Sequence, residues 1–205
     1  IKIGKGEVDM CMTRKARIAY DGPIISEGEM DVRDLAPALI AFADLVEHAS
    51  SVIGNEHKIK VMLNQDSIKK GSFDITFLLD INILEQAQLF MGMAKNNGID
   101  DLMTILGWFG GPTIICGGIF SLIKKIRGRK LKDIRHVDDK NAEIVLNDGD
   151  VIPVPNGILK VFLDVDCRVS IEKIVEPLKR PGIDKFELRD AADQGNKEPL
   201  ETIDK

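Results

Sequence analysis

Residues 102–123 read LMTILGWFGGPTIICGGIFSLI, a run of 22 residues without a charged side chain. This stretch is termed the apolar run below. As one helix it would be roughly 33 Å long, about the thickness of the hydrocarbon core of a bilayer. Asp100 and Asp101 precede it, and a basic flank, KKIRGRK over residues 124–130, follows it. The function of the chain depends on whether this run enters a membrane or is buried inside protein.

The rest of the chain has the composition of a water-soluble protein. Its 205 residues are 30% charged and 44% hydrophobic, and the net charge is −5. This acidic balance argues against nucleic-acid binding, because proteins that bind duplexes usually carry a basic excess. Residues 1–15 lack the apolar segment of a secretory signal, and we interpret them as a leader or an added extension.

No motif for catalysis or cofactor binding is present in the sequence. There is no G-x-S-x-G, no P-loop and no dinucleotide fingerprint, and the acidic pairs are explained as helix caps and turns. The three histidines and three cysteines lack the spacing of metal ligands. We therefore expect no enzyme, cofactor or metal site, and reduced cysteines in a cytoplasmic protein.

Hydrophobic periodicity predicts a ββαββ sensing and assembly domain over residues 16–81. A hairpin turn is expected at residues 21–23, where Asp-Gly-Pro favours a reversal of the chain. An apolar stripe with alternating steps of three and four predicts a helix up to residue 53, with Asp34 as its N-cap. Two alternating strands follow, and Asp74 lies on the polar face of the second.

The section over residues 82–132 is predicted to contain a helix at 82–98, the apolar run and the basic flank. Residues 133–190 alternate as three short strands, continue as two helices with Ser170 as a cap, and end in a strand, KFELR. Residues 191–205 are predicted to be a frayed polar tail.

The fold class that follows from these sections is α+β. Two small antiparallel-sheet-plus-helix sections are joined by a glycine-rich apolar helical segment that we expect to insert into a membrane.

Three arrangements of the apolar run are possible. A single spanning helix kinked at Pro112 would place Lys124 in the cytoplasm and would export residues 1–100 without a signal sequence. A hairpin reversing at residues 110–112 has arms too short to cross a bilayer as helices, but it could be buried in soluble protein. In the third arrangement the run is concealed until a trigger releases it, and this one is consistent with both folded sections lying in the cytoplasm.

The glycines of the apolar run favour assembly of several copies. Gly107 and Gly111 form a GxxxG pair, and further glycines recur seven residues apart. On a helix they would form one narrow face that lets backbones approach closely. The residues expected to act in membrane insertion and oligomerisation are Gly107, Trp108, Gly110, Gly111, Pro112, Gly117 and Gly118.

The basic flank is expected to contact anionic lipid headgroups, with each cation adding about 1 kcal/mol near such a surface. Aromatic residues for base stacking are not interleaved with it, which argues against a nucleic-acid patch. The residues expected to make these lipid contacts are Lys124, Lys125, Arg127, Arg129 and Lys130.

This layout resembles that of small membrane-disrupting effectors of bacterial anti-phage (abortive infection) systems. The resemblance rests on ILGWFGGPTIICGGIF followed by KKIRGRK, about a fifth of the chain. It implies a homo-oligomer that is cytoplasmic at rest, senses infection through a candidate phage structural protein, and permeabilises the inner membrane. The alternative function is a soluble homo-oligomeric binding or adaptor protein whose apolar run is a buried subunit seam.

Overall fold

The computed structural model describes residues 13–25, 29–55, 58–63, 68–69, 73–81, 98–108, 117–192 and 198–205. The predicted helix at 82–98 lies outside these residues except for Gly98. The strands are β1 Arg14–Asp21, β2 Ile59–Met62, β3 Ile68–Lys69, β4 Phe73–Ile81, β5 Leu131–His136, β6 Asn141–Leu146, β7 Val151–Pro155, β8 Lys185–Arg189 and β9 Glu201–Asp204. The helices are α1 Val32–Val52, α2 Ile99–Leu106, α3 Ile119–Ile126, α4 Asn156–Leu163 and α5 Val165–Val175, and a 3-10 turn follows at Glu176–Lys179.

The predicted α+β class is confirmed, with two antiparallel sheets. The main sheet has the strand order β2-β4-β1-β8-β9. Strand β3 also pairs with β4, at residues 74–75, whereas β2 pairs with residues 78–81 of the same strand. The second sheet is the expected three-stranded meander, β5-β6-β7. Strand β8, the predicted KFELR strand, pairs with β1, so the main sheet contains strands from both predicted sections.

The predicted hairpin at residues 21–23 is wrong. Strand β1 pairs with β4 on one side and with β8 on the other, for example Ile18 with Ile75 and with Leu188. Because both edges of β1 are occupied, a hairpin partner has no edge to pair with. After Gly22 the described chain turns instead, and the Ile24 N–H donates to the Gly182 carbonyl at 3.2 Å.

The predicted helix caps are shifted by a few residues. Helix α1 is capped by Asp31, whose side chain accepts from the Arg33 N–H at 2.8 Å, and not by Asp34. Helix α5 is capped by Asp164, which accepts from the Cys167 N–H at 2.8 Å, and not by Ser170. In each case an earlier aspartate with an extended backbone takes the cap, as the geometry of an N-cap requires.

The predicted frayed tail is ordered in part, because β9 pairs with β8 along its whole length. Helices α1 and α5 pack together on one face of the main sheet. On that face Phe42 of α1 stacks on Phe77 of β4 with ring centroids 4.0 Å apart. Helix α4 contacts the three-stranded sheet and also α2 and α3, so the two sheets share one hydrophobic core.

Candidate functional site

The described parts of the apolar run form two short helical segments. Helix α2 contains its first five residues and ends at Gly107, whose φ of +109° lies outside the helical region. Helix α3 contains its last five residues and begins after Gly118, which has a φ of +97°. Residues 109–116, which include the predicted site residues Gly110, Gly111 and Pro112, lie outside the described residues.

Gly107, at the end of α2, and Gly118, at the start of α3, are in contact. A Cβ placed on Gly118 would lie 2.5 Å from the Gly107 Cα and 2.6 Å from the Gly107 nitrogen. In one continuous helix these two glycines would be about 16 Å apart. The apolar run is therefore not one continuous helix in this conformation. These two glycines, predicted to share one helix face, cap two different helices and touch backbone to backbone.

The described residues of the apolar run are mostly buried within the chain's own core. Trp108 is 6% exposed, and its indole lies edge-on to Phe42 with ring centroids 5.6 Å apart. The indole N–H donates to the Arg17 backbone carbonyl at 3.1 Å. Phe120 is fully buried and packs against Phe186 of β8 at 5.3 Å between ring centroids. The other side chains of the run that are less than a tenth exposed are Leu102, Met103, Leu106, Ile119, Ser121 and Leu122.

Gly117 is the remaining predicted site residue that the structure describes. Its φ is +63°, and a Cβ there would approach the Ser121 hydroxyl at 3.1 Å. Gly117 precedes the cap residue Gly118 of α3, and glycine adopts this positive φ at no steric cost.

The basic flank combines structural cations with exposed ones. The Lys124 ammonium lies 2.8 Å from a Glu201 oxygen, which joins α3 to β9. Arg129 pairs with Asp148 at 2.9 Å and also with Asp150, and it donates to the Lys125 carbonyl at the end of α3. The predicted lipid-contact residues that remain exposed at their side chains are Lys125, Arg127 and Lys130.

Glu201 provides a pH-dependent link between the apolar run and the main sheet. Burial alone would raise the pKa of Glu201, but hydrogen bonds from Lys124, Ser121 and the Thr202 backbone hold it below its ordinary value of 4.5. A carboxylate with a lowered folded-state pKa contributes stability that is present above its unfolded pKa. That stability is lost as the pH falls through the folded-state pKa.

We expect acid to weaken the attachment of α3 through this group. The wild type should lose more unfolding free energy than Glu201→Gln as the pH is lowered from 6 to about 3. Urea denaturation of both proteins across this range measures the difference. Parallel pH profiles would show that Glu201 does not link protonation to folding.

The described part of the chain can also be compared with the requirements for a metal site, a reactive thiol and a membrane-spanning helix. No group of three or more His, Cys, Asp or Glu side chains is arranged there to hold a metal ion. Burial and the neighbouring Asp164 raise the pKa of Cys167 to about 12, so this thiol is a poor nucleophile. Helix α1 alone among the described helices is long and apolar enough to cross a membrane, and 44% of its most apolar window is buried.

Sequence reasoning missed an ionic cluster on the other face of the main sheet. Arg17 of β1 and Asp74 of β4 form a bidentate pair with side chains only 3% exposed. Arg189 of β8 donates to the same carboxylate at 2.8 Å and also binds Glu187. Alternation along the strands placed Asp74 on this face, but it gave no sign that the face is buried.

Comparison of the chain with protein-family models, with curated proteins and with solved structures finds no match.

Proposed function

We propose that this protein inserts into membranes, and that its resting form keeps the apolar run folded inside its own core. On release, several copies would associate through the run and permeabilise the bacterial inner membrane. The observation that carries the proposal is the burial of the described residues of a run long enough to span a bilayer. The exposed cations beside the run support it, because they would lie at anionic headgroups after insertion.

The free energy of release depends on a few specific contacts. Helices α2 and α3 have 8 residues each, about 12 Å, so neither spans a bilayer in its present form. Insertion therefore requires the run to leave the core and rearrange. Lipid tails are as apolar as a protein interior, so the hydrophobic term changes little in this transfer. The specific contacts that hold the run, such as Trp108 to Arg17 and Lys124 to Glu201, then determine the balance.

The biological setting that we propose is anti-phage defence, with a phage structural protein as the trigger. The layout of an apolar run followed by cations supports this setting. The alternative function is a soluble homo-oligomeric adaptor. In this conformation the described residues of the run pack inside a single chain, so a subunit seam would require other residues or another conformation.

A mutation that weakens the packing of α3 in the core should activate the protein without its trigger. Phe120→Ala removes a fully buried ring from the run, a change that typically costs about 3–5 kcal/mol. We expect it to release dye from vesicles containing phosphatidylglycerol at a protein concentration more than about tenfold below that of wild type, since 1.4 kcal/mol corresponds to tenfold. Phe120→Leu provides a milder variant in case Phe120→Ala does not fold.

The matched control is Ile144→Ala, which removes a fully buried side chain from β6 in the three-stranded sheet. It should destabilise the protein without releasing dye. Trp108 is the only tryptophan, so its quenching by brominated lipid reports entry of the run into the hydrocarbon. Equal behaviour of wild type and all three variants, with no quenching, would contradict insertion and favour the adaptor.

The same proposal makes a prediction in cells. In bacteria expressing the protein and challenged with a panel of phages, the chain should move from the soluble fraction to the inner-membrane fraction as the membrane potential falls. A chain that stays soluble through every infection while the cells retain their potential would contradict the defence role.

A further inference from the structure

A cleft of about 510 Å³ lies beside the last residue of the apolar run. One wall comes from the end of α3 and the turn after it, and the other comes from β9 and the residue that follows. The lining residues include Ile123, Lys124, Arg127, Ile203, Asp204 and Lys205.

The side chains that line the cleft include more cations than acids. Three of its side chains are cationic, and Asp204 is the one acidic side chain among the lining residues. Two of the cations are held in place by neighbours. Lys124 pairs with Glu201 at 2.8 Å, and the Lys205 ammonium donates to the Arg180 carbonyl at 2.9 Å. Arg127 is exposed and forms no ion pair with any described residue.

The backbone of Arg127 has an unusual conformation for an arginine. Its φ is +47°, and within the described residues it is the one non-glycine residue with a positive φ. It ends α3, and its N–H donates to the Ile123 carbonyl at 2.9 Å. Glycine is the common residue at this position because a Cβ is crowded there. Arginine at this position is therefore unfavourable for folding and indicates a use for its side chain.

We infer that this cleft binds a phosphate-bearing anion. The planar guanidinium of Arg127 offers paired N–H donors that match two phosphate oxygens, and the ammonium of Lys124, which is paired with Glu201, has further N–H donors beside it. Ile123 and Ile203 supply an apolar wall for the part of the ligand next to the phosphate. A glycerophospholipid headgroup has this chemistry, and so does a free phosphate ester. The lipid source rests on the proposed function, because the cleft begins where the apolar run ends.

The test is a titration of the folded protein with sn-glycerol 3-phosphate, and separately with inorganic phosphate, followed by the amide resonances of Arg127 and Gly128. We expect saturable shifts with glycerol 3-phosphate and an affinity about tenfold lower in Arg127→Gln, the typical effect of removing one charge-assisted contact. Tighter binding of glycerol 3-phosphate than of phosphate supports a headgroup site. Equal binding of the two supports the anion site with free phosphate as its source.

Two further variants exclude diffuse electrostatics and loss of folding. Arg127→Gly should lose the binding while remaining at least as stable as wild type, because it relieves the positive φ. Lys132→Gln removes an exposed charge that does not line the cleft, and it should bind as wild type does. Shifts that do not saturate, or that are equal in Arg127→Gln, Arg127→Gly and wild type, would overturn the inference.

This titration contains no membrane, so its outcome does not depend on whether the protein inserts into one. Headgroup binding without dye release by Phe120→Ala would support the anion site in the cleft and contradict insertion. Dye release without headgroup binding would support insertion and contradict the inference that the cleft binds an anion.

Discussion

Gly118→Ala is expected to destabilise the protein by about 3 kcal/mol or more, and the variant will be largely unfolded if the wild type is only marginally stable. The added Cβ would lie 2.5 Å from the Gly107 Cα, a separation that real Cβ atoms essentially never show. The Gly107 nitrogen would lie 2.6 Å away, and because both contacting atoms belong to the backbone, no side chain can rotate to make room. The φ of +97° with a ψ of −178° adds the cost of a backbone conformation that is essentially confined to glycine, about 1–3 kcal/mol for a residue with a Cβ.

Gly149→Ala separates the two contributions. Gly149 also has a positive φ, +95°, but a Cβ there meets nothing within 4 Å. It should therefore lose only the conformational contribution, about 1–2 kcal/mol. Urea denaturation of both variants measures the difference, most of which is the cost of separating Gly118 from Gly107. Equal losses in the two variants would show that the contact between Gly107 and Gly118 does not stabilise the fold.

This contact also explains why sequence reasoning misplaced the glycines. Spacings of four and seven residues are consistent with a helix face, and a glycine at such a spacing suggests close helix packing. The same residue type is also preferred where a helix ends with a positive φ, as Gly107 does. The pattern cannot distinguish these two uses of glycine. Only the fold shows that α2 and α3 are separate helices and that Gly107 and Gly118 touch.

Local patterns predicted the individual elements better than their partners. Alternation over Phe73, Ile75 and Phe77 predicted β4 and its buried face correctly, because side-chain period and burial are local properties. The KFELR strand was also predicted, but its pairing with β1 joins residues about 170 positions apart. Nothing in the spacing of either strand specifies such a partner, so the predicted boundary between sections missed the shared sheet.

The same limit applies to the charged face of the main sheet. Arg17 and Asp74 follow the expected alternation and lie opposite the core face of their strands. An alternating strand in an antiparallel sheet commonly has one solvated face. Both side chains are nevertheless almost completely buried. Burial of a polar face depends on what packs against it, which the pattern within a strand does not encode.

Asp74→Ala is expected to destabilise the protein by about 3–5 kcal/mol, the usual range when one partner of a buried ion pair is removed. Asp74 accepts from the Arg17 Nε at 2.6 Å and from the Arg189 Nη1 at 2.8 Å, so one carboxylate compensates charge on two arginines. These arginines belong to β1 and β8, the strands through which the two predicted sections meet. Loss of Asp74 therefore removes the carboxylate that the two arginines share, while Arg189 keeps its ion pair with Glu187.

Asp74→Asn keeps the shape and removes only the charge, so it should recover a small part of the loss. The matched control is Glu172→Ala, which breaks a 3.6 Å pair with Lys179 whose side chains are 71% and 65% exposed. Exposed pairs typically contribute about 0–1 kcal/mol and are screened by salt. Urea denaturation at low and high salt should thus give a large, nearly salt-independent loss for Asp74→Ala and a small one for Glu172→Ala. Similar losses in both variants would mean that the buried cluster does not hold β1, β4 and β8 together, and that apolar packing alone joins the two halves of the main sheet.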